Sequence, residues 1–139
     1  MSYKQPPGPN MKPSTHDKRL GKLTLEQYLG LSEGMSFKIA GRMLTLAGDY
    51  TNDVIALHEE AEDPRLDRAA LMGLARAATR AETRLARLLV IAAENCDGEL
   101  VDVPYAIRSN IKTTSLCRSA ICKRALVAEQ QDDSTQLAA

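Results

Sequence analysis

Apolar side chains recur through the middle of the chain at helical spacing. Ile39, Met43, Leu46, Tyr50, Val54 and Leu57 succeed one another at intervals of 4, 3, 4, 4 and 3 residues. That keeps them on one face of a helix and predicts an element from about Met35 to Glu60. A second row, Leu66, Ala70, Leu74, Ala77, Ala81, Leu85, Leu88 and Ala92, predicts another from about Pro64 to Asn95. Asp63-Pro64 breaks the pattern between them, because proline disfavours helical backbone in the residue before it and suits the first turn of the second helix. The two rows match when the helices run antiparallel. Facing residues then have a constant sum of positions, and Ile39 with Leu85, Met43 with Ala81, Tyr50 with Leu74 and Val54 with Ala70 all sum to 124. Large residues meet alanine at several levels, which lets the backbones approach closely.

The flanks read differently. Thr24 with Gln27 three residues on forms a capping-box pattern ahead of Tyr28 and Leu29 and predicts a short helix, with Gly30 and Gly34 as punctuation. Residues 1–22 carry four prolines and five Lys or Arg against one Asp, the composition of a basic disordered arm. Beyond the stop at Gly98, Glu99 to Val103 reads as extended as far as Pro104. Ile107, Ile111, Leu116, Ile121 and Ala125 then place a basic helical segment over 104–129. Thr113, Thr114 and Ser115 either cap a second helix there or weaken a single one, so both forms stay open. From Gln130 the chain is polar and reads as a disordered tail, 130–139. The predicted fold is all-α: one helical domain over 23–129, built on a long antiparallel hairpin (35–95) with a short N-terminal helix and the C-terminal basic segment.

Composition narrows the core. Four Tyr, one Phe and no Trp among 139 residues leave the interior to Leu, Ile, Met, Val and Ala. Aromatic rings supply the largest blocks of buried area, so a core without them is thin. Outward apolar positions such as Leu44, Ile55, Met72 and Leu89 then need cover from the C-terminal segment, a second subunit or a partner. Eighteen basic and eighteen acidic side chains cancel overall, which argues against a generic polyelectrolyte partner. Locally they separate. Residues 33–63 hold seven acids against two bases, and residues 64–95 six bases against three acids, a complementarity that favours the antiparallel pairing. Arg42 and Glu82 also sum to 124 and are expected to flank the seam as a pair.

No apolar leader occupies residues 1–23 and no run approaches the ~20 apolar residues that span a bilayer, so a cytoplasmic protein without membrane contact is expected, with free thiols. Candidate chemistry is sparse. Cys117 and Cys122, five apart, sit about 140° apart on a helix and with Cys96 make a poor zinc site. They read as small buried apolar residues. His58 beside Glu59 and Glu60 reads as a cation near a helix C-terminus, and His16 lies in the arm. Asp49 and Asp53 share a face, but the second helix brings arginines there and no facing carboxylates. No catalytic residue, metal site or cofactor is therefore expected, and the chain reads as a non-enzyme.

Two cationic features remain. Arg76, Arg80, Arg84 and Arg87, spaced 4, 4 and 3, line one face of the second helix. Solvated faces ordinarily mix signs, so an unmixed row predicts a surface for an anionic partner. Residues 104–128 contain Arg108, Lys112, Arg118, Lys123 and Arg124 and no acid. Residues 102–121 lie loosely on a helix-turn-helix pattern, with Asn110 at its turn, although Ser109 and Ser119 fall where that motif wants apolar side chains. The expected function is a non-enzymatic interaction protein (an adaptor, inhibitor or regulator) that binds a protein partner or a second copy through the arginine row. The alternative is a nucleic-acid-binding regulator that uses 104–128 and the N-terminal arm.

Overall fold

The computed structural model describes Leu20 and residues 22–138, the side chains of 131–138 excepted, so the arm expected over 1–22 lies almost wholly outside the described residues. The described chain is all-α: α1 (Leu25–Leu29), α2 (Phe37–Glu60), α3 (Arg68–Asn95) and α4 (Asp102–Ala138), with short 3-10 turns at Leu31–Glu33 and Gly98–Leu100. The three long helices pack on one another, and α3 lies more extensively against α4 than against α2. The expected hairpin is present as α2 and α3, but it is one side of a three-helix bundle.

Local chemistry sets the helix ends. The Thr24 hydroxyl accepts from the Gln27 amide at 3.1 Å and the Thr24 amide donates to Gln27 Oε1 at 2.9 Å, completing the predicted capping box. Gly30, left-handed at φ 78°, closes α1 by returning its N–H to Glu26 and Gln27 carbonyls. Ser36 caps α2 through the Ile39 amide and Asp67 caps α3 through the Ala70 amide. These caps start the helices later than the apolar rows suggest, and the connection fills 61–67. Within it the Asp63 carboxylate receives the Arg65 backbone amide and guanidinium at 2.9–3.0 Å.

The buried row of α2 is the predicted one: Ile39, Met43, Leu46, Tyr50 and Val54 are buried, with Leu57 half-buried at the end. On α3 the row differs in part. Leu71, Leu74, Ala78, Ala81, Leu85, Leu88 and Ala92 are buried at alternating intervals of three and four, while the expected Ala70 and Ala77 are only half-buried. The shift arises because α3 must serve two neighbours. The buried side of α4 keeps the same helical face with Val103, Ile107, Thr114, Ile121 and Ala125, at intervals of 4, 7, 7 and 4. Leu20, expected in the arm, is buried, as are Leu25 and Leu29.

Two further expectations fail. The stretch Glu99 to Val103 is not extended but turns into α4, with Pro104 in the first helical turn, where its missing N–H has no intrahelical role. The C-terminal segment is one helix, and it does not end at 130 but continues to Ala138. Neither Gly nor Pro occurs between Tyr105 and Ala138. The Thr114 and Thr113 hydroxyls return to the Ile111 and Ser109 carbonyls at 2.9 and 3.5 Å, so the polar trio is absorbed into the helix instead of capping a new one. A helix-turn-helix over 102–121 is thereby ruled out.

Stability measurements check this packing. Leu74→Asp places an unpaired carboxylate at a fully buried position and should destabilise the fold by several kcal/mol, read from chemical denaturation. Gly41 and Gly48 have ordinary helical backbones, and among the described residues nothing lies within 4 Å of an added Cβ. Gly41→Ala and Gly48→Ala should each raise stability by about 0.5–1 kcal/mol. Asp63, hydrogen-bonded by the Arg65 side chain and amide, has its pKa lowered from 3.8 to about 2. The pair's contribution is complete above the unfolded value and lost as pH falls through about 2. The Asp63 carboxyl carbon should titrate near that value by NMR, and Arg65→Ala should move its midpoint up.

Candidate interaction surfaces

The arginine row of α3 faces the side where the N-terminal segment crosses the hairpin. Arg80, Arg84 and Arg87 line a groove of about 600 Å³ together with Thr79, Thr83 and the segment Leu23 to Glu26. Arg76, one turn earlier and exposed, is not part of its lining. Arg87 bonds the Glu26 carboxylate through Nη2. Glu26 sits in the first turn of α1, and a hydrogen bond at its own backbone, with Arg87 second, holds its pKa below the ordinary glutamate value. The groove thus presents guanidinium groups beside a half-exposed leucine, Leu23, and Arg87 is engaged by a carboxylate of the chain itself. The Thr79 and Thr83 hydroxyls are turned back onto the Ala75 and Thr79 carbonyls at 2.9 Å.

The predicted pairing of Arg42 with Glu82 does not form, because the two side chains lie on opposite sides of the hairpin. Arg42 donates through Nη1 to the Leu29 carbonyl at 3.2 Å and so anchors α1 to α2. Glu82 faces α4 and accepts from Nε of Arg118 in a half-buried pair. Arg68 pairs with Glu129 at 3.3 Å farther along the same seam. As these pairs descend α3 they climb α4, which fixes the two helices as antiparallel.

The cations of 104–128 do not gather on one face. Arg118 is taken up by Glu82, and Arg124 is half-buried. Lys112, Lys123 and Arg108 point outward, Arg108 with its guanidinium 5.6 Å from the centre of the Tyr105 ring. Lys123 and Arg124 also border a groove of about 520 Å³ with His58, Ala61, Glu62, Ala120 and Val127, at the end of α2 nearest the turn.

On the α4 side of α2, Asn110 donates through Nδ2 to the Thr51 hydroxyl at 2.8 Å, and Thr51 in turn donates to the Ala47 carbonyl at 2.8 Å. This polar link inside an otherwise apolar seam was not legible in either row, since Asn110 shows itself only once α4 is a single helix. Asp49 and Asp53 are both half-buried on α2. Among the described residues no group of three His, Cys, Asp or Glu side chains lies close enough to hold a metal ion, and no helix is long and apolar enough to cross a membrane. Cys96 is buried, with its thiol pKa raised by desolvation and then by Asp97, while Cys117 and Cys122 are half-buried.

No protein-family model, curated protein or solved structure matches the chain. Thiol accessibility gives a direct check on the arrangement. Cys117 and Cys122 should alkylate ahead of Cys96 in the native protein, with all three equal in denaturant, as read by mass spectrometry of the modified peptides.

Proposed function

We propose that the protein is a non-enzymatic interaction module that receives an acidic segment of a protein partner in the groove between α3 and the N-terminal segment. One observation supports this above the others: Arg80, Arg84 and Arg87 converge on a groove that also has an apolar rim at Leu23 and Leu25. Arginine's planar fork suits bidentate contact with carboxylates. Like charges at helical spacing destabilise an isolated helix by a few tenths of a kcal/mol each, so the row does not serve helix stability. The Glu26–Arg87 pair supplies an internal example of the contact. In this reading Arg76 prolongs the cationic track beyond the groove. The protein acts in the manner of an adaptor, inhibitor or regulator, and no bond is made or broken.

A second reading, binding to a nucleic-acid backbone, draws on the outward Arg108, Lys112 and Lys123 of α4 and the absence of acids between Asp102 and Glu129. It is weaker because Arg118 and Arg124, the other cations of that segment, are not outward.

Fluorescence anisotropy separates the two. The probes are a labelled glutamate- and leucine-rich amphipathic peptide, its lysine-rich counterpart and a random-sequence DNA duplex. The acidic peptide should bind, the lysine peptide should not, and Arg80→Gln combined with Arg84→Gln should weaken the acidic peptide at least about tenfold while the circular dichroism spectrum stays helical. Glu26→Gln should tighten it by releasing Arg87. Binding to DNA that falls steeply with salt and ignores the arginine substitutions would transfer the function to α4.

A further inference from the structure

We propose that the outer crest of α4 lies on the surface of an anionic lipid bilayer and holds the bundle against it. The buried side chains Val103, Ile107, Thr114, Ile121 and Ala125 define the inward direction of this helix. Directly opposite, on an arc about 100° wide, stand Tyr105, Leu116, Leu126 and Val127. They are 62%, 74%, 57% and 50% exposed. The same arc carries Arg108, Lys112 and Lys123, all exposed, and between Tyr105 and Val127 only Ser109 and Ser119 complete it. The crest is therefore a line of large apolar side chains interleaved with cations, roughly 33 Å long.

Single exposed leucines are ordinary on a protein surface, but four large apolar side chains in register on one helix are a patch that calls for cover. The charge beside them has one sign. No acid occurs between Asp102 and Glu129. Glu129 is turned to Arg68, and Glu62 stands beside Lys123 only across the groove at the end of α2. Arg108, Lys112 and Lys123 make no ion pair among the described residues, so the fold does not use their charge. Arg108 instead lies over the Tyr105 ring, which keeps the aromatic and the cation together at one end of the crest.

The surface that matches both features is an anionic bilayer. Apolar side chains enter among the headgroups while the long stems of Lys and Arg reach the lipid phosphates, and a tyrosine suits the boundary between them. A nucleic-acid backbone would match the three cations and leave Leu116, Leu126 and Val127 without a counterpart. The crest is also convex, the outermost line of a three-helix bundle, so a flat surface meets it along its whole length. No helix among the described residues is long and apolar enough to cross a membrane, and the contact is peripheral. The expectation of no membrane contact rested on leader and spanning segments alone, and a peripheral contact needs neither. Three cations and four apolar side chains make a weak, reversible association that salt opposes.

Flotation of the full chain with lipid vesicles tests this. Vesicles of phosphatidylcholine with about 30% phosphatidylserine should carry the protein at low salt, and phosphatidylcholine alone should not. Lys112→Glu with Lys123→Glu should lower the partition coefficient at least about tenfold. Leu116→Ser with Val127→Ser, both at exposed positions, should lower it at least about threefold while the circular dichroism spectrum stays helical. Arg80→Gln with Arg84→Gln should leave it unchanged, since the arginine groove is a different surface. The chain has no Trp, so Leu116→Trp is a clean reporter. Its emission should shift to the blue on the phosphatidylserine vesicles, and that of Thr45→Trp, exposed on α2, should not. Equal partition onto both vesicle types, no partition, or binding that follows the arginine pair and ignores the lysine pair overturns the proposal. So does binding to a DNA duplex, without vesicle binding, that Leu116→Ser with Val127→Ser leaves intact, which would assign the crest to nucleic acid.

Discussion

The fold depends on how closely three helices can approach a single leucine–alanine stripe. Leu71, Leu74, Ala78, Ala81, Leu85, Leu88 and Ala92 of α3 are buried beneath both α2 and α4, and Tyr50 is the one buried aromatic among the described residues. Without large rings to fill space, apolar area must come from close backbone packing, where each buried leucine contributes about 1.5–3 kcal/mol. Alanine at alternate levels makes that approach possible. Leu20, Leu25 and Leu29 complete the cover from the N-terminal side, and the Arg42–Leu29 contact fastens α1 to α2.

Polar contacts then select one arrangement of this interior. Thr51–Asn110 satisfies two polar side chains only at one axial position of α4 against α2, and Glu82–Arg118 with Arg68–Glu129 do the same for α4 against α3. Exposed pairs contribute about 0–1 kcal/mol each, so their value lies more in orientation than in stability. Part of the charge of α3, conspicuous in the sequence, is engaged outside the hairpin: Arg87 by Glu26, Arg68 by Glu129 and Glu82 by Arg118. Arg65, in the connection, folds back on Asp63 within its own turn. The apolar seam of the hairpin is buried along its length.

Features set by local interactions were the legible ones. The capping box at Thr24, the apolar row of α2 and the break at Asp63-Pro64 depend on residues within a turn or two of one another, and they stand as expected. The row of α3 was legible as a helix but not in detail. A helix buried on two sides carries a broad apolar stripe, and Leu71 and Ala78 are indistinguishable from Ala70 and Ala77 until the second neighbour is known. The unbroken α4 was obscured by Thr113 and Thr114, whose hydroxyls have as good an acceptor in the preceding turn as in a cap. The arginine row was visible by spacing, whereas its groove was not, because Leu23 to Glu26 reach α3 only through the tertiary fold.

With α3 shared on two sides, the outward faces of the bundle are left to other tasks, the cationic groove among them. The groove requires α3 to be the rigid member to which the rest is attached. Native-state hydrogen exchange on the full chain measures this directly. The amides from Leu74 to Leu88 should be the slowest in the molecule, exchanging only through global unfolding, with α1 opening at much lower free energy. Amides of α3 that exchange as fast as those of α1, or an α4 that stays protected while α3 opens, would contradict a bundle organised on that stripe.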